Sequence, residues 1–201
     1  EDKKLFTYAK DKILDAAKTG IPFNFTILTV DTHFTDGYMD SSCEEIFDTA
    51  YANALYCSDQ KIYSFVKWLM KQDFYDNTTV IISGDHLTMQ KDFYKDLGNY
   101  ERTIYNTFIN SPIEPIKEKG RLFSAFDMFP STLASLGVKI EGNKLGLGVN
   151  LFSEEKTYLY ACLLVISYKL GNCTPFSKST LISSPYLRSS TCILVYKLLQ
   201  I

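Results

Sequence analysis

The most constraining feature of this chain is a β-branched run that ends in an acid and an imidazole. Residues 78–82 (Thr-Thr-Val-Ile-Ile) predict a buried strand, a Ser-Gly turn follows, and Asp85 and His86 come directly after it. In open α/β sheets, ligands bind outside the carboxyl ends of the strands. Carboxylate oxygen and imidazole nitrogen together suit a borderline cation such as Zn²⁺ or Mn²⁺. The alternative interpretation of this dipeptide is a solvated turn after a strand.

A second segment repeats this design. Residues 24–30 are apolar and β-prone, and they lead into Asp31, Thr32 and His33. The chain contains only two histidines, and each of them closely follows a predicted strand. His33 is therefore a second candidate site residue. Its alternative role is that of a loop histidine bonded to a nearby backbone group.

Length, charge and cysteine content restrict the class of protein. A chain of 201 residues can hold one α/β domain with a covered core. The formal charge of −2 gives no basic field, so nucleic acid is not an expected partner. No stretch reaches the ~18 apolar residues that a membrane-spanning helix needs. Five cysteines at irregular spacing predict neither a disulfide framework nor a CxxC metal site. Because the chain begins at Glu1, we interpret it as a piece of a longer protein.

The order of elements predicts an α/β fold with a mainly parallel sheet flanked by helices. Residues 3–19 predict a helix before the first strand. A capping-box pattern at residues 42–45 predicts a long helix that runs to about Lys71, with a bend near Ser58. A helix–strand–helix–strand order implies a right-handed crossover, which would make the two strands parallel. Residues 102–110 predict a third strand.

The remainder of the chain divides into a continuation of this domain and a tail. A short helix is predicted to end at Gly137, with Asp127 as its N-cap, and the glycines of residues 145–152 predict close backbone packing. From Thr157 onward the chain has no acidic residue and no clean period. We therefore divide the chain into residues 1–155 and an atypical tail, residues 156–201. The tail is a second packing unit, an interaction segment or, as we favour, sequence that does not continue the domain's design.

Five motifs in order resemble one known enzyme group. They are Thr-Val-Asp-Thr-His-Phe (29–34), Tyr-Ala-Asn-Ala (51–54), Ser-Gly-Asp-His-Leu-Thr-Met (83–89), Phe-Ser-Ala-Phe-Asp-Met-Phe-Pro-Ser-Thr-Leu (123–133) and Gly-Leu-Gly-Val-Asn-Leu-Phe-Ser (146–153). This set resembles the phosphoglycerol transferases of the alkaline phosphatase and sulfatase superfamily, which include the lipoteichoic acid synthases and the enzymes that modify periplasmic glucans. The Asp-His-Leu-Thr-Met run is more similar to the glucan-modifying branch. The resemblance covers roughly residues 1–155, as the C-terminal part of a catalytic domain.

The resemblance implies an alkaline phosphatase-like fold and one divalent metal, typically Mn²⁺, with Zn²⁺ or Mg²⁺ as alternatives. Asp85 and His86 match the family's metal-binding aspartate and histidine, and His33 matches the histidine that contacts the substrate phosphoryl group. In the family, the catalytic threonine and a further acidic metal ligand lie upstream of these motifs. Residues 1–24 contain no matching arrangement. We therefore expect a domain that is incomplete at its N-terminus, no catalytic nucleophile in this chain, and no activity of the chain alone.

The implied reaction is transfer of a glycerophosphoryl group from a phosphatidylglycerol-type lipid to a glucan or polyglycerophosphate acceptor. It would take place at the extracytoplasmic face of the cell membrane, with membrane helices in the longer parent protein. A sulfatase or phosphodiesterase of the same superfamily, which transfers the group to water, is one alternative. The Cys/Ser-x-Pro/Ala-x-Arg motif that sulfatases require does not occur in the sequence. The other alternative is a truncated, non-catalytic remnant in which Asp85 and His86 have no chemical role.

Overall fold

The computed structural model describes residues 1–33, 35–95, 102–160 and 191–197. The described helices are α1 (Asp2–Lys18), α2 (Ala50–Leu69), α3 (Lys91–Tyr94) and α4 (Met128–Ser135). The strands are β1 (Phe23–Leu28), β2 (Thr78–Gly84), β3 (Asn106–Ile109), β4 (Lys144–Leu145), β5 (Gly148–Val149) and β6 (Thr191–Lys197). Short 3₁₀ turns lie at Tyr75–Asn77, Ala125–Asp127 and Glu141–Asn143.

Four of these strands form the main sheet, in the order β1-β6-β2-β3. Every neighbouring pair in it is antiparallel, so the prediction of a mainly parallel sheet is wrong. The reason is that β6 lies between β1 and β2 and runs opposite to both. Since both are antiparallel to β6, β1 and β2 still run in the same direction. Their carboxyl ends, Leu28 and Gly84, pair with the adjacent residues Cys192 and Thr191, so both strands end at one edge of the sheet.

The main core lies between this sheet and the two long helices. α1 and α2 pack on the sheet face formed by alternate residues of β1, β2 and β6. The buried members of this cluster are Phe6, Ala9, Ile13, Ile27, Ile62, Phe65, Leu69, Val80, Ile82 and Val195. On β2, the intervening residue Thr79 donates a hydrogen bond to the carbonyl of Ser135 in α4. Because successive side chains of a strand point to opposite faces, α4 covers the other side of the sheet.

The helix boundaries test the capping predictions. The first predicted helix is confirmed to within one residue at each end. The capping box predicted at residues 42–45 is wrong, because Ser42 donates both of its hydrogen bonds to Asp40 and α2 begins at Ala50. Thr49 is the N-cap, and its hydroxyl accepts from the amide of Ala52 at 3.2 Å. α2 then runs as one helix to Leu69.

Asp127 lies at the N-cap position of the short helix α4, as predicted, but its side chain makes no capping hydrogen bond to that helix. Its carboxylate accepts from the amide and hydroxyl of Ser124, and the two residues form the capping box of the preceding 3₁₀ turn, in which Ser124 is the N-cap. The same carboxylate accepts from the amide of Val149 at 2.8 Å, which ties β5 to this helix. Close packing of the glycine-spaced segment is confirmed at Gly148, where a Cβ would lie 2.0 Å from the carbonyl oxygen of Phe126. It is wrong at Gly146, where a Cβ would have no neighbour within 4 Å.

Two further findings concern the third strand and the tail. Within the predicted strand 102–110, only Asn106–Ile109 is β-structure among the described residues. Residues 191–197, which belong to the predicted tail, form strand β6 of the main sheet. The prediction for residues 161–190 and 198–201 concerns positions outside the described part of the chain.

A disulfide joins Cys43 to Cys57, with 5.4 Å between the Cα atoms. It links the loop that precedes α2 to the middle of that helix. The sequence did not indicate this bond, because an odd number of irregularly spaced cysteines does not single out a pair. Among the helices of the described residues, none has the length and apolar character that crossing a membrane requires.

Candidate functional site

Asp85 and His86 lie side by side just beyond the end of β2. Asp85 Oδ1 accepts a hydrogen bond from the amide of His86 at 2.8 Å, and this bond holds the Asp85 carboxylate next to His86. His86 Nδ1 lies 2.8 Å from the carbonyl oxygen of Leu87. Because a carbonyl only accepts, Nδ1 is the donor in this contact, and in the corresponding neutral tautomer the lone pair lies on Nε2. The Nε2 atom is 3.5 Å from Asp85 Oδ2.

This pair has the chemistry and spacing of two ligands of one cation. Two donors about 2.1 Å from a metal at a tetrahedral angle lie roughly 3.4 Å apart. A ligating histidine commonly donates its other ring nitrogen to a backbone carbonyl, as Nδ1 does here. The pair is also accessible, since 51% of the His86 side chain is exposed. Within the described residues, no cluster of three or more His, Cys, Asp or Glu side chains could hold a metal ion. The described part therefore fits two ligands of a metal and supplies no third His, Cys, Asp or Glu side chain to complete the set.

His33 lies on a loop at the same edge of the sheet. We call residues 31–38, without the undescribed position 34, the His33 loop, and residues 85–90 the Asp85–Gln90 segment. The His33 side chain is exposed, and its amide donates to the carbonyl of Val30 at 2.9 Å. Hydrogen bonds join the loop to the segment on both sides of His33, at Thr32 through Tyr51 and at Asp36 through Gln90. The structure thus brings the two predicted loops together.

Four charged side chains lie at the base of the His33 loop, and one of them, Asp31, is the first residue of that loop. Lys61 of α2 donates to Asp31 at 2.6 Å and forms an ion pair with Asp40 at 2.8 Å, and all three side chains are at most 11% exposed. The other oxygen of Asp31 accepts from the amide of Asp2 at 3.0 Å, at the start of α1. The Asp2 carboxylate in turn accepts from the amides of Val30 and Asp31. We call Asp2, Asp31, Asp40 and Lys61 the buried ion cluster; it fixes the end of β1 to both long helices.

Burial and charge shift the pKa values in this cluster in opposite directions. The hydrogen bonds from Lys61 and then Ser42 hold the pKa of Asp40 well below its usual range. Burial lowers the pKa of Lys61, but the hydrogen bonds to Asp31 and Asp40 outweigh it, so the net shift is upward. Burial raises the pKa of Asp2, against the hydrogen bonds it accepts from the backbone. The cluster is therefore a paired network in which Lys61 stays charged.

Several residues of this region were not found from the sequence. Tyr51 lies in one of the five motifs but had no predicted role, and its buried hydroxyl lies between Thr32 and Thr88. Gln90 and Lys61 also had no predicted role. In a sequence, a supporting polar contact of this kind shows only as a polar residue among the apolar positions of a helix. That signal does not identify the residue to which it is hydrogen-bonded.

Comparison with known proteins identifies a family for most of this chain. The model of the family described as Sulfatase matches residues 1–138. Phosphoglycerol transferase I of Xanthomonas axonopodis pv. citri (strain 306) is 30% identical over 132 residues, which are 63% of this chain and 19% of the relative. The protein of the same name from Xanthomonas euvesicatoria pv. vesicatoria (strain 85-10) is 28% identical over 160 residues, 77% of this chain and 22% of the relative. That of Escherichia fergusonii is 29% identical over 107 residues, 50% of this chain and 14% of the relative.

The family match covers more than half of the chain, so this chain belongs to the sulfatase family, within the alkaline phosphatase superfamily. More particularly, it is a phosphoglycerol transferase-like member of that family. The chain spans about a fifth of the length of the Xanthomonas relatives that it matches. No solved structure matches this chain.

Proposed function

We propose that this chain supplies one part of a metal-dependent phosphoglycerol transferase site. In this proposal Asp85 and His86 hold one divalent cation, and His33 contacts the phosphoryl group of the substrate. The donor would be a phosphatidylglycerol-type lipid and the acceptor a glucan or a polyglycerophosphate chain. The observation that carries the proposal is the placement of an Asp–His donor pair and a second histidine on two hydrogen-bonded loops at one edge of the sheet.

Each of the three side chains has a role that its surroundings support. The Leu87 carbonyl fixes the tautomer of His86, so that Nε2 and Asp85 Oδ2 can bind the same ion. A divalent cation bound there would lower the pKa of a coordinated hydroxyl and offset negative charge on phosphoryl oxygens. The exposed imidazole of His33 can donate a hydrogen bond to a phosphoryl oxygen or protonate a leaving group, and proton transfer of this kind contributes ~10²–10⁴ in rate.

The proposal assigns Mn²⁺ as the cation, with Zn²⁺ and Mg²⁺ as alternatives, and places the nucleophile outside this chain. Because two ligands fall short of the usual three or four, we expect weak cation binding and no transferase activity from the chain by itself. We also propose an extracytoplasmic location for the parent protein. The Cys43–Cys57 disulfide supports it, since disulfides persist in oxidising compartments and are rare in the cytosol.

Isothermal titration with Mn²⁺ alone tests the metal site. We expect the chain to bind Mn²⁺ with a Kd above about 1 µM, since the described ligand set is incomplete. His86→Ala should weaken that binding at least tenfold. His33→Ala is the matched control, because it removes the other imidazole of the chain and should leave the Mn²⁺ affinity unchanged. Equal affinity of the unmodified chain and His86→Ala would contradict the metal role, and submicromolar binding would contradict the incomplete site.

A hydrolase of the same superfamily is the second candidate function, and the sulfatase family match favours considering it. The two reactions differ in the group that receives the glycerophosphoryl moiety, which is an acceptor hydroxyl in one case and water in the other. Incubating the full-length parent protein with phosphatidylglycerol and a glucan acceptor separates them. Transfer yields diacylglycerol and a modified glucan, whereas hydrolysis yields diacylglycerol and free glycerophosphate. Free glycerophosphate as the main product would assign the hydrolase.

A further inference from the structure

Two buried polar side chains join the His33 loop to the Asp85–Gln90 segment. Gln90 is 8% exposed and forms a reciprocal pair with Asp36. Its amide nitrogen donates to Asp36 Oδ1 at 2.7 Å, and its amide oxygen accepts from the Asp36 backbone amide at 3.3 Å. Both ends of the Gln90 amide are therefore used on a single residue of the opposite loop. Such a pair fixes orientation as well as distance.

Tyr51 forms the second connection, from the first turn of α2. Its side chain is 2% exposed, and its ring packs edge-to-face on Phe93 with centroids 5.2 Å apart. The hydroxyl lies 2.6 Å from Thr88 Oγ1 and 3.2 Å from the carbonyl oxygen of Thr32. Tyr51 thus links the residue immediately before His33 to a residue two positions after His86.

The His33 loop has a shape that depends on these contacts. Asp36 and Gly37 both have left-handed backbone conformations, with φ of 61° and 69°. This conformation is uncommon at residues other than glycine, and Asp36 adopts it where its amide meets Gln90. A Cβ on Gly37 would lie 2.6 Å from Ala54 Cβ, so the loop is pressed against α2. The amide of Tyr38 closes it by donating to the Asp31 carbonyl at 2.7 Å.

We propose that Gln90 and Tyr51 are positioning residues that set the distance between the His33 imidazole and the Asp85–His86 pair. The inference rests on the proposed function, in which one phosphoryl group lies between His33 and the cation. Neither positioning residue touches that group; each acts on the backbone that carries a touching residue. A displacement of about 1 Å in such an arrangement can cost ~10²-fold in rate, so a fixed spacing between the two loops matters for the reaction.

The two histidines make this distance measurable without an assay of activity. The ring protons of His33 and His86 can be assigned by NMR with His33→Ala and His86→Ala, since the chain has no other histidine. Mn²⁺ is paramagnetic and broadens protons in a steeply distance-dependent way, so Mn²⁺ held by His86 reports the position of His33. In the unmodified chain we expect Mn²⁺ to broaden the resonances of both rings.

Gln90→Ala and Tyr51→Phe test the positioning role. In each variant we expect the His86 resonance to broaden as before and the enhancement at His33 to fall by about threefold or more. Tyr51→Phe keeps the ring packed on Phe93 and removes only the hydroxyl, so it tests the role with little effect on folding. Asp92→Ala is the control, because Asp92 is exposed on neighbouring α3 and should leave both resonances unchanged.

The outcomes separate this inference from the proposed function. If Mn²⁺ broadens neither ring of the unmodified chain, the metal site itself is wrong and the inference fails with it. If Mn²⁺ broadens His86 but not His33, the metal role stands and the inference fails, because His33 does not lie near the cation. Suppose that each ring broadens as much in Gln90→Ala and in Tyr51→Phe as it does in the unmodified chain. The positioning role alone is then overturned.

Discussion

Lys61 is the cation between two carboxylates in the interior of the protein. Its ammonium lies within 2.8 Å of both Asp31 and Asp40, and the three side chains are almost fully covered. Removing one partner of a buried ion pair leaves an uncompensated charge, which is more costly than the pair itself is favourable. The residue therefore matters to the His33 loop through the carboxylates that it neutralises.

We expect Lys61→Met to lower the free energy of unfolding by about 3–5 kcal/mol, because it keeps a stem of similar length and leaves Asp31 and Asp40 facing each other without a cation. Denaturant unfolding measures the change. Lys67→Met, at an exposed position of the same helix, should change stability by less than about 0.5 kcal/mol. Equal effects of the two substitutions would show that the buried ion cluster does not stabilise the fold.

Asp40 should give the cluster a characteristic pH dependence. Its pKa is lowered in the folded protein, chiefly by Lys61, and returns to about 3.9 on unfolding. A carboxyl of this kind stabilises the fold above its unfolded pKa and loses that contribution as the pH falls toward the folded pKa. We expect Asp40→Asn to cost about 1–3 kcal/mol at pH 7, and the cost to shrink below about pH 4.

Urea unfolding of both proteins at pH 7, 5, 4 and 3 measures this difference. The raised pKa of Asp2 also makes stability depend on pH, but Asp2 is common to both proteins and its contribution cancels to first order. A difference that stays constant or grows on acidification would contradict the assignment.

The chemistry-bearing residues were predictable where a local pattern defined them, and their supporting residues were not. Asp85 and His86 follow a β-branched run, so their place at a strand end could be inferred from the sequence. Tyr51 lies 37 positions from Thr88 along the chain, and Gln90 lies 54 positions from Asp36. Periodicity describes which face of an element is apolar, and it carries no information about such distant polar partners.

At the scale of elements, the start of α2 shows how a local signal can be overridden. Residues 42–45 have the composition of a capping box. The start of the helix is instead determined by Asn53, which lies eight to eleven positions further along the chain. Its side-chain oxygen accepts from the amides of Ile46 and Phe47, and its nitrogen donates to the Phe47 carbonyl. These bonds satisfy the backbone of the loop before Thr49, so the helix begins after it.

The contact between β5 and the turn before α4 gives a second element-scale prediction. A methyl group on Gly148 would overlap the Phe126 carbonyl at 2.0 Å and Pro130 at 2.9 Å. We expect Gly148→Ala to cost more than about 2 kcal/mol, because backbone must move. Gly137→Ala has open space but a φ of 83°, so it should cost only about 1 kcal/mol. Thermal and urea unfolding measure both changes, and similar costs would argue against close packing at Gly148.

At the scale of the whole molecule, the strand order could not be predicted from the sequence. The direction of β1 relative to β2 followed from the helices that precede them. The position of β6 did not, since it comes from a region without a clean period and follows β5 by more than 40 residues. It pairs with all six residues of β1 and all seven of β2, so it connects the two strands that carry the candidate site.

Val195 is the residue through which this central strand joins the core. It is fully buried and lies opposite Phe25 of β1 and Val80 of β2. We expect Val195→Asp to destabilise the protein by on the order of 4–5 kcal/mol, because an unpaired carboxylate would enter the main core. The same substitution at Val138, which is 46% exposed, should cost less than about 0.5 kcal/mol. Circular dichroism during urea unfolding distinguishes the two. If Val195→Asp unfolds at the same urea concentration as Val138→Asp, then β6 does not hold β1 and β2 together, and the shared edge that places His33 near Asp85 loses its structural basis.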